Sequence, residues 1–382
     1  MNNLNQLELF EYSFEDNREL ELVIKKLPKI DLHTHLSGCL RMNTVREIIN
    51  EYNLKVPQSV SRDLRRSIVI DAPVKRYSDF FLPWRRVLNK VTKIALENPQ
   101  KYSQFVLEMA EDFSNDGVVY AEVRISIRET GINDSIENLL NFLKNAFTEA
   151  YNKFGIVLRG ILGFTRNSFY QLSESDRMQI TRNIVQLSQP FRGNTIVGFD
   201  LWGNEKRHPP KAFAKEFQII RDAGFPVTVH AGEIYSSTFI RDSVNILKAK
   251  RLGHATAISK DLKLFDLLRD NQILVEVCLT SNVKSSIVKN ISEHPVRKMI
   301  KEDIPISLCA DNTTVLNTTL SKEISRALLH KLVDPDYLQK MYANALKKSF
   351  LPKTDIYYRL EKKIETYNRD INNKISELCL KK

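Results

Sequence analysis

Glycine and proline are scarce in this 382-residue chain, at 12 and 13 residues, against roughly 7% and 5% in average usage. Their scarcity excludes collagen-like, linker-dominated and low-complexity readings and predicts a chain made mostly of regular structure. Cysteine is equally sparse. Cys39, Cys278, Cys309 and Cys379 form no CxxC pair and no regular spacing, so the expectation is a reducing compartment rather than a zinc ribbon or a disulfide framework. No run reaches the length of a membrane span, and the first residues, MNNLNQLELFEYSFEDNRELELV, are acidic and polar without a basic-then-apolar layout. A cytoplasmic protein with no leader and no membrane partner is expected.

Positive charge is in excess, 57 Lys+Arg against 46 Asp+Glu for a net +11. The basic residues recur along helical stretches, and no RNP-like, zinc-finger or Gly/Arg-rich pattern accompanies them. Nucleic acid is therefore not expected as the main partner. A solvated face is the simpler account, and its summed field would attract an anionic small molecule.

Short β-branched runs alternate with longer amphipathic segments. Strands are predicted at Lys29–His35, Val118–Ser126, Ile156–Phe164, Thr195–Leu201, Pro226–His230, Arg251–His254, Gln272–Leu279 and Ile304–Ala310. Between them, segments such as AKEFQIIRDAG and KDLKLFDLLRDN repeat apolar residues every three or four positions, as helices do. Eight such strands in residues 1–382 predict one domain, a (β/α)8 TIM barrel. The absence of GxGxxG after the first strand weakens a dinucleotide-binding alternative. Residues 42–116 exceed one helix and its turns, and predict a helical lid insertion at the C-terminal face, with helices over SDFFLPWRRVL and Tyr102–Phe113. Residues 353–382 read as one amphipathic C-terminal helix closing the domain.

Catalytic groups of a barrel belong where its strands end. Strand 1 ends in His33-Thr34-His35, whose imidazoles, two residues apart, point to the same side. Strand 5 ends in Thr228-Val229-His230-Ala231-Gly232-Glu233, strand 6 in Gly253-His254, and strand 8 in Ala310-Asp311-Asn312. Imidazoles and a carboxylate from separate strands suit a divalent ion, zinc first. Strand 4 ends Gly198-Phe199-Asp200-Leu201-Trp202, without the lysine that bridges two metals in binuclear barrel hydrolases, so one ion per chain is expected. Zinc lowers the pKa of bound water to about 7. Attack on an unsaturated carbon then needs a group that holds or accepts the water proton and another that protonates the electrophile. His254 fits the first role and Glu233 the second.

PKIDLHTHLSGCLR, VGFDLWGNE, TVHAGE, RLGHAT, EVCLTSN and SLCADN follow one another much as do the motifs of the adenosine and AMP deaminase family, which the chain resembles from about Pro28 to about Phe350. The resemblance implies a zinc-dependent barrel that hydrolyses the 6-amino group of an adenine nucleoside or its 5′-monophosphate. It also implies zinc ligation by His33, His35, His230 and Asp311. Glu233 would give a proton to purine N1, His254 would orient and deprotonate the water, and the Gly203 backbone N–H would reach purine N3. Two positions depart from the pattern. Ser37 stands where adenosine-specific members carry an Asp against the ribose 5′-hydroxyl, which relaxes selection against a 5′-phosphate. Asn312 replaces a second Asp and carries an N–H donor for purine N7 at every pH.

Phe80, Phe81 and Trp84 either form an apolar lid over the base or pack the insertion. Arg76, Arg85 and Arg86 either meet a phosphate or are merely solvated. Glu122 and Arg124 share one face of strand 2 and are expected to pair inside the barrel as structural support. Within this class, a deaminase of N6-substituted AMP and a catalytically silent purine-binding relative remain alternatives.

Overall fold

Residues 17–127, 134–234, 236–366 and 369–380 are described by the computed structural model. Most of the N-terminal stretch, residues 1–16, lies outside them. Eight strands follow in chain order: β1 (Lys29–His35), β2 (Val118–Ser126), β3 (Val157–Thr165), β4 (Ile196–Trp202), β5 (Thr228–Ala231), β6 (Arg251–His254), β7 (Leu274–Val277) and β8 (Ile306–Leu308). β5 and β8 start later than the apolar runs, because Pro226 and Pro305 lie just ahead of them and have no N–H to donate to a ladder. β7 is cut at both ends. Gln272 adopts a left-handed φ of +52°, and Cys278 already caps the helix Leu279–Lys284.

Among the described residues all strand pairings are parallel, in two sheets of order β1-β2-β3-β4 and β5-β6-β7-β8. The sheets meet at two narrow seams. Phe199 of β4 bridges Val227, and Thr34 of β1 bridges Asp311. At the second seam the His35 N–H donates to the Asp311 carbonyl and the Asp311 N–H to the His33 carbonyl, both at 2.9 Å. Strands and intervening helices thus form the eight-fold α/β barrel. The strands are buried almost throughout, as strands covered on both faces must be.

Charged side chains cross the barrel interior. Glu122, Arg124, Asp200, Arg251 and Glu276 are almost wholly buried. Glu122 and Arg124 do not pair with each other. Arg124 Nε donates to Asp200 Oδ2 at 2.6 Å and its Nη2 to Glu276. Arg251 donates to Glu122 and, at 2.7 Å, to Glu276 Oε1. Side chains two apart on one strand point the same way in parallel, so the partners that close each ion pair come from other strands.

Between β1 and β2 run helices Met42–Glu51, Gln58–Arg62, Leu64–Ile68, Asn89–Leu96 and Pro99–Asn115. The last starts where the Asn98 side chain accepts the Gln100 and Lys101 N–H groups, with Pro99 in its first turn, a strong start signal. The expected single helix over SDFFLPWRRVL is instead a 3-10 turn, Tyr77–Phe81, and a π-helical turn, Trp84–Leu88. Pro83 stands between them and cannot donate the bond that would continue a helix. The C-terminal segment also departs from one continuous helix. It forms Asp355–Glu365 and Arg369–Leu380, and the second lies against the first described helix, Arg18–Ile24. Among the described residues no helix is long and apolar enough to cross a membrane.

Candidate metal centre and active site

β1, β5 and the segment after β8 bring His33, His35, His230 and Asp311 together at the C-terminal ends of the strands. His35 Nε2 lies 3.3 Å from His230 Nε2 and 3.6 Å from Asp311 Oδ1, and His33 Nε2 lies 3.8 Å from the same oxygen. A tetrahedron with metal–ligand bonds of about 2.1 Å has edges of about 3.4 Å, so these three separations are near those of ligands on one ion. The ligand atoms of His33, His35 and His230 all lie within 4.8 Å of one another, and Asp311 falls in a second such group that shares His33. The Nε2 of His33 is buried without a hydrogen-bond partner, a cost of burial that a bound cation would relieve. Three neutral imidazoles and a carboxylate are borderline donors that suit zinc.

The rings are aimed from behind. His33 Nδ1 lies 2.8 Å from Glu276 Oε2 on β7, and His230 Nδ1 lies 3.1 Å from Asp200 Oδ2 on β4. A carboxylate on Nδ1 leaves Nε2 as the lone-pair face of a ligand. Burial, followed by the Arg124 charge, keeps the His33 pKa well below its usual value. Burial and then His230 do the same for His35. Burial opposes a charge on His230 as well, but Asp200 outweighs it and the net shift is upward. His35 also meets the Trp202 ring edge-on at 5.0 Å.

Glu233 and His254 flank this cluster, with His254 Nε2 3.9 Å from Glu233 Oε1. Glu205 fixes the turn that carries Glu233 by accepting the Gly232 and Glu233 N–H groups at 2.8 and 2.9 Å. The Tyr77 hydroxyl donates to Glu233 Oε2 at 3.1 Å. Burial raises the Glu233 pKa above the carboxylate norm, against the pull of His230, Tyr77 and Arg166. His254 and Asp311 both carry left-handed backbone, φ +65° and +61°, a conformation that costs energy in non-glycine residues and clusters at functional sites.

The remaining nominated residues lie just past β1, β4 and β8 or in the insertion after β1. Gly203 follows Trp202 with φ +106°, and a Cβ there would lie 3.1 Å from Asn167 Oδ1. Asn312 is buried and donates through Nδ2 to Asp311 Oδ1 at 2.5 Å. Gly38 gives it room, since a Cβ at Gly38 would lie 1.9 Å from Asn312 Oδ1. The Ser37 hydroxyl accepts the Trp84 indole N–H at 3.0 Å. Phe80 is buried and its ring lies 5.6 Å from Phe81 and 6.1 Å from Trp84. Arg76 is tied to Asp79, and exposed Arg85 to the Ser78 carbonyl.

Sequence reasoning missed several contributors. Asp200 and Glu276 sit inside quoted motifs, and a lone carboxylate in an otherwise apolar strand was the available signal. Cys278 lies with His33, His254 and Asp311 in one group whose ligand atoms are all within 4.8 Å of one another. Tyr77 carried no signal, because nothing in its surroundings announces a partner 156 positions away.

A family model described as adenosine deaminase matches residues 28–367 of the chain. The chain is 31% identical over 353 residues to an adenosine deaminase of Clostridium botulinum, covering 89% of this chain and 99% of that one. It is similar in fold to an amidohydrolase from Burkholderia ambifaria solved with bound zinc, at TM-score 0.77 and 19% identity, covering 97% of this chain and 98% of that one. It is likewise similar to the N6-methyl-AMP deaminase of Arabidopsis thaliana, at TM-score 0.75 and 22% identity, covering 92% and 99%.

Proposed function

Because the chain belongs to the adenosine deaminase family, we propose that it is a cytoplasmic enzyme with one zinc ion per chain, held by His33, His35, His230 and Asp311. It hydrolyses the 6-amino group of an adenine nucleoside or its 5′-monophosphate, yielding ammonia and the inosine counterpart. The observation that supports the metal reading most directly is the partnerless, buried Nε2 of His33 beside Asp311. Bound there, zinc would supply the Lewis acidity that makes water a nucleophile at neutral pH.

The chain's own groups do the rest. Burial raises the Glu233 pKa and so favours the protonated form, from which it delivers a proton to purine N1 as the water oxygen adds to C6. That protonation makes C6 electrophilic and lets the amidine nitrogen accept the electron pair. His254 faces the attacking oxygen beside Glu233. Glu233, left as a carboxylate, takes up the proton the water loses and passes it to the amino nitrogen. The bond from C6 to that nitrogen then breaks, ammonia leaves, and the remaining hydroxyl proton returns to Glu233. Asn312 spends one amide hydrogen on Asp311 and keeps the other for purine N7, while the Gly203 N–H is directed to N3. Phe80, Phe81 and Trp84 cover the base and exclude water, which strengthens the charges acting on C6.

Ser37 favours accepting a 5′-phosphate. Its oxygen already accepts the Trp84 N–H, so its own O–H is directed to an acceptor, and no carboxylate stands there to repel a phosphate. Tolerance of N6 substituents is an outcome of the same assay. The catalytically silent alternative loses support because the six residues assigned to metal and catalysis are all present and grouped.

The test is ammonia release by the zinc-loaded protein from adenosine, deoxyadenosine, AMP, dAMP and N6-methyl-AMP. Turnover of at least one is expected, with Glu233→Gln reduced by about 100-fold or more. Silence on every substrate by folded, zinc-loaded protein would remove the enzyme reading, and full activity in Glu233→Gln would remove the proton donor.

A further inference from the structure

His254 has two ring nitrogens, and which of them carries the proton determines what it can do to the attacking oxygen. The surroundings settle this without reference to the metal. Behind the ring, Asn282 Nδ2 lies 3.1 Å from His254 Nδ1. The other end of the same amide, Oδ1, lies 3.1 Å from His294 Nε2. At the far side of His294, the backbone N–H of Val296 points at Nδ1 from 3.2 Å. All three side chains are buried, which leaves solvent little room to substitute for any member.

One donor in this chain has no choice. A backbone N–H can only donate, so His294 Nδ1 must accept, and the neutral ring then carries its proton on Nε2. That proton needs an acceptor, which fixes the Asn282 amide with its oxygen toward His294 and its NH2 toward His254. The amide therefore donates to His254 Nδ1, and the neutral His254 ring carries its proton on Nε2, the atom on the Glu233 side. A second proton on His254 would set its Nδ1–H against the Asn282 NH2, so this geometry requires the neutral ring, and burial keeps His294 neutral by lowering its pKa to about 3.

We infer that Asn282 and His294 are positioning residues that lock His254 in the Nε2–H form, so that His254 gives a hydrogen bond to the attacking oxygen and does not remove its proton. This refines the role expected from the sequence, in which His254 deprotonates the water, and it rests on the proposed reading that His254 faces that water. A donor at this position aims an oxygen lone pair at C6 and steadies the negative charge that develops on the oxygen. The neutral ring has no lone pair on Nε2, so it cannot act as a base there.

The tautomer is directly measurable. Long-range proton–nitrogen correlation spectra of protein labelled with 15N-histidine, assigned with His254→Gln and His294→Gln, should show His254 protonated at Nε2 and bare at Nδ1. The same pattern is expected with and without zinc. A proton on Nδ1 in the wild-type protein overturns the inference, whatever the variants do. In Asn282→Asp the new carboxylate accepts from Nδ1–H and reverses the tautomer. The expected result is a fall in kcat of about 100-fold or more, as with a reversed histidine tautomer in other hydrolases, with KM within about threefold. A reversed tautomer with unchanged kcat removes the functional half of the inference. A fully active His254→Ala would instead remove the reading that His254 serves the reaction, and would leave the spectroscopic result standing.

Discussion

His294 lies outside the metal cluster, yet burial, with a push from His254, holds its pKa near 3 against an ordinary 6.5. A histidine whose folded pKa is depressed contributes stability above its unfolded pKa and loses it as pH falls, because the unfolded chain takes up a proton that the folded chain refuses. Between pH 6.5 and about pH 4.5 this single group should therefore cost the fold about 2 kcal/mol. Urea unfolding at both values, in wild type and His294→Gln, isolates it from the carboxylates. The wild type should lose about 2 kcal/mol more than the variant over this interval, and equal losses would show that His294 titrates alike folded and unfolded. The sequence nominates the grouped residues His33, His35, His230, Asp311, Glu233 and His254 because each stands at the end of a strand, where an apolar run gives way to chemistry. It is silent on the groups behind them. Glu276 receives His33, Thr228, Arg124 and Arg251 at once, and none of these meetings has a local spacing to announce it.

The segment from Ile70 to Tyr77 acts as one element although it has no regular structure. It crosses the mouth of the barrel, donating from Ile70 to the Val315 carbonyl at 2.8 Å and from Val74 to the Lys284 carbonyl at 2.9 Å, and ends with Tyr77 on Glu233. The loop after β8, the end of the helix Leu279–Lys284 after β7 and the turn after β5 are thereby tied to one stretch of backbone. Tyr77→Phe keeps the ring, which lies 5.3 Å from Phe81, and removes only the hydrogen bond to the carboxyl. The expected outcome is a fall in kcat of about tenfold with KM within about twofold. Unchanged kcat would show that Tyr77 only packs against its aromatic neighbours. Periodicity could not foretell this element. The aromatic positions of Tyr77–Phe81 and Trp84–Leu88 suited a helix, and Pro83 broke the register into two tighter and looser turns. The long regular helices were legible for the opposite reason, since Pro99–Asn115 buries Tyr102, Phe105, Val106, Met109 and Phe113 along one stripe.

At the scale of the whole molecule, eight parallel strands could be counted in the sequence because each is short, β-branched and bounded by helices. How the circle is joined could not, since a seam of one bridge has no pattern of its own. Those seams lie between the halves β1–β4 and β5–β8, and the ligand set spans them. His33 and His35 belong to the first half, His230 and Asp311 to the second. A zinc ion bound as proposed would therefore fasten the halves at their thinnest join, and its binding free energy would resist opening there. Hydrogen exchange should show the His35 and Asp311 amides, which bond across the seam, slowed by about tenfold or more on zinc loading. Amides of the β2–β3 ladder should change little. Equal protection with and without zinc would separate the ion from the mechanics of the barrel.

Four donors placed across a weak join, if they hold the ion as proposed, would also tie survival to supply. With zinc bound as proposed, a cell short of it would leave this join open to proteases, and scarcity would lower the protein's abundance as well as its turnover.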